Sequence, residues 1–361
     1  MKEAFLYKKL AERKAQNIYR TLRLSEGKID FCSNDYLGLG RNPLMKITGP
    51  EAAHASTGSR LLTGNYPLME ETEKLIGMFH QSEAALIFNS GYDANLGLFS
   101  CVPQRGDTVL YDYLSHASIR DGIRLSFAEA FSFAHNDIDD LEKKLKTAKG
   151  NIFVVTESVF SMDGDIAPLK EIANLCTQYG ASLVVDEAHA TGVLGEKGEG
   201  LVQQLKLEEN CFARIHTFGK ALGSHGAVVL GSNQLKEYLV NFSRAFIYTT
   251  ALPEIAIASI KRAYELFPGM NQERNQLHEL IRFFGESKLR FDKIISNTPI
   301  QAVLVPGNDE VKAIAAELQK AGLDVRPIVY PTVPKGSERL RIVLHAFNTI
   351  AELNQLTALL K

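Results

Sequence analysis

Between residue 67 and about residue 250 the chain alternates segments of helical period with short apolar runs. That rhythm restricts it to a mostly parallel sheet covered by helices. Residues 67–80 place Leu68, Met69, Thr72, Leu75, Ile76 and Phe79 at helical spacing, and residues 84–88 follow as a strand. Residues 151–156 read as a buried strand. Residues 168–179 read as a helix with Leu169, Ile172, Ala173 and Cys176 inward and Gly180 as its stop signal, and residues 182–185 as the next strand. Two further strands are expected at 212–218 and 226–230. Beyond Pro253 the pattern changes to a long helical stretch, a strand at 302–305, a helix at 310–321, strands near Val325 and at 339–344, and a last helix from Ile350. The expected organisation is an N-terminal segment (1–48) packing with the small domain, a large domain (49–265) and a small α+β domain (266–361).

With 361 residues, 45% of them hydrophobic, the chain can bury a large core. Its formal net charge of -2 gives no general electrostatic reason to bind nucleic acid or an anionic membrane. Residues 1–20 are rich in lysine and arginine without an apolar run long enough for a signal peptide. No later stretch is long enough to span a bilayer, so a cytoplasmic protein is expected. Cys32, Cys101, Cys176 and Cys211 lack the paired spacing that zinc or a redox dithiol needs. Reduced, mostly buried thiols and no metal are expected.

In an open α/β sheet the loops after the carboxyl ends of the strands face the ligand. Three such loops carry chemistry: Ser158 to Asp163, Asp186 to His189, and Thr217 to Lys220. A lysine between glycines is usually a solvated charge. Lys220, however, shares its sheet edge with an acid and an imidazole, a set suited to pyridoxal phosphate (PLP). Lysine condenses with the cofactor aldehyde, and Asp186 would keep the pyridine nitrogen protonated so that the ring is an electron sink. His189 could hold the cofactor's phenolic oxygen. Asn89-Ser90-Gly91-Tyr92-Asp93-Ala94-Asn95 supplies a strand end, a glycine turn and a helix start, where main-chain N–H groups can bind phosphate, and Thr217 and Ser161 add hydroxyls. His116 could stack on the ring, although a partly buried structural histidine is the plainer reading. Arg339 and Arg341 share one face of a strand; this is either a solvated edge or a fork for a substrate carboxylate.

These motifs together resemble the α-oxoamine synthase family of fold-type I PLP enzymes, which condense an amino acid with an acyl-CoA and lose carbon dioxide. The resemblance runs essentially end to end, through Ser33-Asn34-Asp35-Tyr36-Leu37-Gly38-Leu39, Thr57-Gly58-Ser59-Arg60-Leu61-Leu62-Thr63-Gly64, Ser115-His116-Ala117-Ser118, Val159-Phe160-Ser161-Met162-Asp163-Gly164-Asp165, residues 186–189 and 217–220, and Pro331-Thr332-Val333-Pro334. It implies that Lys220 is the Schiff-base lysine, Asp186 the pyridinium partner, His189 the phenolic contact and His116 the stacking residue. It also implies phosphate contacts from Gly91, Tyr92, Thr217 and Ser161, a hold on the amino acid's carboxylate by Asn34 and Arg341, and acyl-CoA contacts from Arg20 and Thr332. Residues 246–253, with Thr249 and Thr250, resemble a segment that reaches the neighbouring subunit's phosphate, which implies a homodimer with shared sites. Within the family the chain looks most like the branch that joins L-alanine to a pimeloyl thioester, carried on CoA or on a carrier protein. The branch that joins glycine to acetyl-CoA is second, with the serine palmitoyltransferase and 5-aminolevulinate synthase branches behind it. A non-catalytic subunit on the same fold is the reading from a different class, and the presence of Lys220, Asp186, His116 and His189 together argues against it. Two stretches depart from the family's pattern: Ala55-Ser56-Thr57-Gly58, and Ser224-His225-Gly226, where His225 either crowds an acyl channel or fills a loop.

Overall fold

The computed structural model describes residues 3–22, 24–25, 27–47 and 53–361. The chain divides into two compact units. The larger comprises Asp35–Ser161 and Ile166–Arg274; the smaller comprises the residues up to Asn34, Met162–Asp165 and Asn275–Lys361.

The larger unit is built on seven strands: β1 (Ala84–Phe88), β2 (Thr108–Asp112), β3 (Glu129–Phe133), β4 (Ile152–Glu157), β5 (Ser182–Asp186), β6 (Cys211–Thr217) and β7 (Ala227–Gly231). They lie in the order β1-β7-β6-β5-β4-β2-β3. Runs such as Leu183-Val184-Val185 are apolar on both faces because helices cover both sides, and β1 is buried throughout its length. All neighbours pair in parallel except β7, which runs antiparallel to both β1 and β6. The ends of β1, β4, β5 and β6 consequently emerge at one edge of the sheet, and residues 218–226 form a turn back from β6 into β7.

Helix α1 (Ala4–Ala15), in the smaller unit, is exposed along its whole length. Helix α2 (Pro67–Phe79) packs Met69 and Ile76 inward, as the helical spacing predicts. Helices α3 (Gly91–Cys101) and α4 (Ala117–Leu125) bring Ala94, Leu98, Phe99, Ile119 and Ile123 into the same core as Val109, Val155, Val184 and Ile215. They approach closely through Gly122: a Cβ there would lie 2.8 Å from the Asn95 carbonyl and 2.9 Å from Phe99 Cβ.

The smaller unit holds an antiparallel sheet of β8 (Ile300–Leu304), β9 (Arg326–Ile328) and β10 (Arg339–Val343), in the order β9-β10-β8. Ile29–Asp30 pairs in parallel with Leu323–Asp324. The last helix, Ile350–Leu359, opens on a capping box in which Thr349 and Glu352 satisfy each other's main-chain N–H groups.

All four cysteines are free thiols, but only Cys176 is buried; Cys32, Cys101 and Cys211 are half-buried, which corrects the expectation of mostly buried thiols. Cys101 ends a helix and Cys211 begins a strand, and element ends are more open than middles. Among the described residues no group of side chains could hold a metal ion, and no helix is long and apolar enough to cross a membrane.

Candidate active site

The turn after β1 builds an anion cradle. Ser90 caps α3, its hydroxyl accepting the Asp93 N–H at 3.1 Å, and the other N–H groups of the first helical turn have no intrahelical acceptor. With the helix dipole behind them they attract negative charge. Gly91 is needed here, because an added Cβ would come within 2.5 Å of Thr217 Cγ2. The glycine turn and the end of β6 therefore converge. Tyr92 is exposed and donates its hydroxyl proton to Asp121. Asn89 reaches sideways from this turn, donating to Thr249 Oγ1 at 3.0 Å and to the Thr250 carbonyl at 2.8 Å, so both threonines sit beside it in the same chain.

Lys220 is half-buried in the turn after β6, and its Nζ donates to Thr217 Oγ1 at 3.2 Å. Asp186 ends β5 with 4% of its surface exposed. One carboxylate oxygen accepts the Ala188 N–H at 2.9 Å and the other accepts Asn95 Nδ2 at 2.8 Å. No helix starts at Asp186, so its carboxylate is not spent on a cap. The His189 ring is also buried, with Nδ1 2.6 Å from the hydroxyl of fully buried Tyr36.

His116 takes the N-cap position of α4, and its ring nitrogen Nδ1 accepts the Ser118 N–H at 3.2 Å. Its own N–H donates to Glu157 Oε1 at 2.6 Å. The residue is exposed, yet the protein packed behind it displaces water and holds its pKa below the usual histidine value. Asp186 pulls that pKa the other way, and Lys220 adds to the depression. Glu157 is buried at the end of β4 and is pushed well above the ordinary carboxylate range, first by burial and then by Asp186. Ser161 lies half-buried in the loop beyond.

In the smaller unit Arg341 donates through Nη2 to Asn34 Oδ1 at 2.9 Å, joining the two residues expected to hold a carboxylate. Arg339, buried on the same strand face, forms an ion pair with Asp163 and so has a different partner from Arg341. Arg20 Nη2 and Thr332 Oγ1 come within 3.5 Å, and both are exposed. His225 is exposed in the turn between β6 and β7.

The family model for aminotransferase class I and II matches residues 26–360. The chain belongs to that family. Within it the chain groups with the α-oxoamine synthases. It is 41% identical over 368 residues to the 8-amino-7-oxononanoate synthase of Emericella nidulans, covering 92% of this chain and 88% of that one. It is 39% identical to the enzyme of the same name from Marinobacter nauticus, over 97% of this chain and 93% of the relative. Among solved structures, serine palmitoyltransferase of Sphingomonas wittichii superposes with a TM-score of 0.88 at 30% identity, covering 92% of this chain and 86% of that one. The 8-amino-7-oxononanoate synthase of Francisella tularensis superposes with a TM-score of 0.79 at 30% identity, covering 93% and 97%.

Three participants were given no role by sequence reasoning: Asn95, Tyr36 and Glu157. Tyr36 lies inside the family-like run 33–39, and Glu157 lies next to the loop 158–163, so position alone marked them for attention. Asn95 closes the phosphate-turn run 89–95, but nothing in that run tied it to Asp186. It is one polar residue on the inner face of a helix, and only the packing of α3 on the end of β5 reveals its partner.

Proposed function

We propose that this chain is a PLP-dependent acyltransferase that joins L-alanine to a pimeloyl thioester, on CoA or on a carrier protein, to form 8-amino-7-oxononanoate in biotin synthesis. The observation that carries the reading is the gathering of Lys220, Asp186, His189 and the Gly91 turn at one sheet edge, in a chain about 40% identical to synthases of that name over most of its length.

The donor set fits PLP. A primary amine, a buried carboxylate, a buried imidazole–phenol pair and a helix start that a side chain at Gly91 would block match the aldehyde, pyridine nitrogen, phenolic oxygen and phosphate in turn. When bound, the group supplies an electron sink for the carbanion at the amino acid's α-carbon. Asp186 would pair with the ring nitrogen, and its burial would strengthen that interaction. Gly91, Tyr92, Thr217 and Ser161 take the phosphate.

Lys220 Nζ would hold the cofactor through its aldehyde. The Lys220 amine would also be the base that takes the amino acid's α-proton and later returns a proton to the product. Arg341 and Asn34 hold the amino acid's carboxylate, and Arg20 and Thr332 contact the acyl carrier. A bond forms between the α-carbon and the acyl carbon, the thiolate leaves, and the carboxylate departs as carbon dioxide. The enzyme works in the cytoplasm as a homodimer in which Thr249 and Thr250 reach the partner's phosphate site.

The test is turnover by the PLP-loaded protein of L-alanine with pimeloyl-CoA, against glycine with acetyl-CoA and serine with palmitoyl-CoA. Preference for the first pair by about tenfold or more in kcat/KM supports the reading, and preference for either other pair overturns the substrate assignment.

A further inference from the structure

A continuous chain of hydrogen bonds runs from Asp186 to His116 through two residues the reaction above does not use. Asn95 Nδ2 donates to Asp186 Oδ2 at 2.8 Å and to Ser118 Oγ at 3.1 Å. Ser118 Oγ lies 2.7 Å from His116 Nδ1, and the Ser118 main-chain N–H points at the same nitrogen from 3.2 Å. Asn95 and Ser118 are both buried, with 2% and 1% of their surface exposed.

The directions of these bonds follow from chemistry. A main-chain N–H can only donate, so His116 Nδ1 is an acceptor. The Asn95 amide cannot be reversed without setting its carbonyl against the Asp186 carboxylate. Ser118 Oγ therefore accepts from Asn95 and gives its own proton to His116 Nδ1. The proton of an uncharged imidazole is then left on Nε2.

We propose that Asn95 and Ser118 are positioning residues that hold His116 as the uncharged Nε2–H tautomer and tie its orientation to the Asp186 carboxylate. The site thereby presents an N–H donor from His116, suited to an oxygen that gains negative charge, such as the acyl carbonyl as the new bond forms. The inference rests on the proposed function for what His116 meets. The tautomer itself stands on the geometry alone. The packing of Gly122 against Asn95 and Phe99 brings the two helices close enough for the amide to reach the hydroxyl.

The test uses the PLP-loaded protein with 15N-labelled histidine, whose long-range proton–nitrogen spectra report which ring nitrogen is protonated. The His116 signals are identified by their loss in His116→Asn. At pH 7.5 the wild type is expected to carry its proton on Nε2. In Ser118→Ala the Nδ1 signal should move, because its shorter bond is gone, and kcat should fall about tenfold or more while KM for L-alanine stays within about twofold. Ser118→Thr, which keeps the hydroxyl, should restore both, and Asn95→Ala should reproduce the loss of kcat. A wild-type proton on Nδ1, or Ser118→Ala signals and kcat indistinguishable from wild type, would overturn the proposal. If L-alanine is not a substrate at all, the functional reading fails, and the nitrogen spectra still decide the tautomer.

Discussion

Glu157 and Asp186 are register partners at the ends of neighbouring parallel strands, and both carboxyl groups are buried. Their surroundings divide the labour between them. Asp186 accepts two hydrogen bonds at its oxygens, from Ala188 N–H and Asn95 Nδ2, which suits a carboxylate. Glu157 takes one bond from the His116 N–H and is pushed well above the ordinary range by burial and by Asp186. Glu157, held above the ordinary range in this way, is suited to serve as a neutral main-chain anchor.

Glu157→Gln should therefore keep the His116 anchor and most activity, whereas Glu157→Ala should cost about 1–3 kcal/mol through the unsatisfied N–H. Because its folded pKa is raised, Glu157 binds a proton in the native state after the unfolded chain has lost its own. Its contribution to stability is complete below the ordinary carboxylate pKa and declines as pH rises from there towards the folded pKa. Urea unfolding of the wild type should show that decline relative to Glu157→Gln. Parallel pH profiles for the two proteins would contradict it.

The buried histidines His80 and His216 pack with ring centroids 4.0 Å apart and planes tilted by 36°. Burial, reinforced by Arg214, pulls His80 down to about 3, and burial with His80 alongside holds His216 well below the usual value. Both imidazoles stay uncharged in the folded chain, while the unfolded chain gains a proton on each as pH falls below about 6.5. Stability should drop towards acid from that point, by up to about 1.4 kcal/mol per pH unit for each histidine. His80→Gln should flatten the slope between pH 6.5 and 5 in denaturant titrations; an unaltered slope would refute this.

Glu73 is buried beneath Arg60 at 2.8 Å and Lys236 at 2.9 Å, and also accepts the Ile87 N–H at 2.9 Å. Removing one side of a buried ion pair leaves uncompensated charge. Glu73→Ala is expected to lower unfolding free energy by about 3–5 kcal/mol, read from chemical denaturation, and a loss below about 1 kcal/mol would show the cluster to be energetically idle.

Gly91→Ala forces a methyl against Thr217 Cγ2, and PLP retention, measured by equilibrium dialysis, should weaken about tenfold or more. Thr217→Ser keeps the hydroxyl and removes that methyl. The double variant Gly91→Ala with Thr217→Ser should recover most of the affinity, and additive losses would argue against steric conflict as the cause.

Much of the larger unit was legible because its strands are continuous apolar runs: residues 84–88 are strand as expected, and the helix ending at Gly180 stops there with that glycine in the left-handed conformation. The direction of β7 was not legible, since periodicity reports burial and says nothing of which way a strand runs. Lys220, Asp186 and His189 stand out in the sequence through the loops that carry them. Asn95 was missed because a helix-facing amide looks like any buried polar residue until its partners are known. Arg339 and Arg341 look equivalent by strand alternation, and only the family resemblance singled out Arg341; in the structure Asp163 and Asn34 give the two different partners.

The measurement that bears most directly on the whole account is product formation by wild type and Lys220→Ala under identical PLP loading, with L-alanine and pimeloyl-CoA and with free CoA and carbon dioxide followed together. The account predicts equimolar release of the two by wild type, a visible cofactor band that Lys220→Ala lacks, and a loss of turnover of at least about 100-fold in the variant. Turnover unchanged by Lys220→Ala, or CoA release without carbon dioxide, would contradict it.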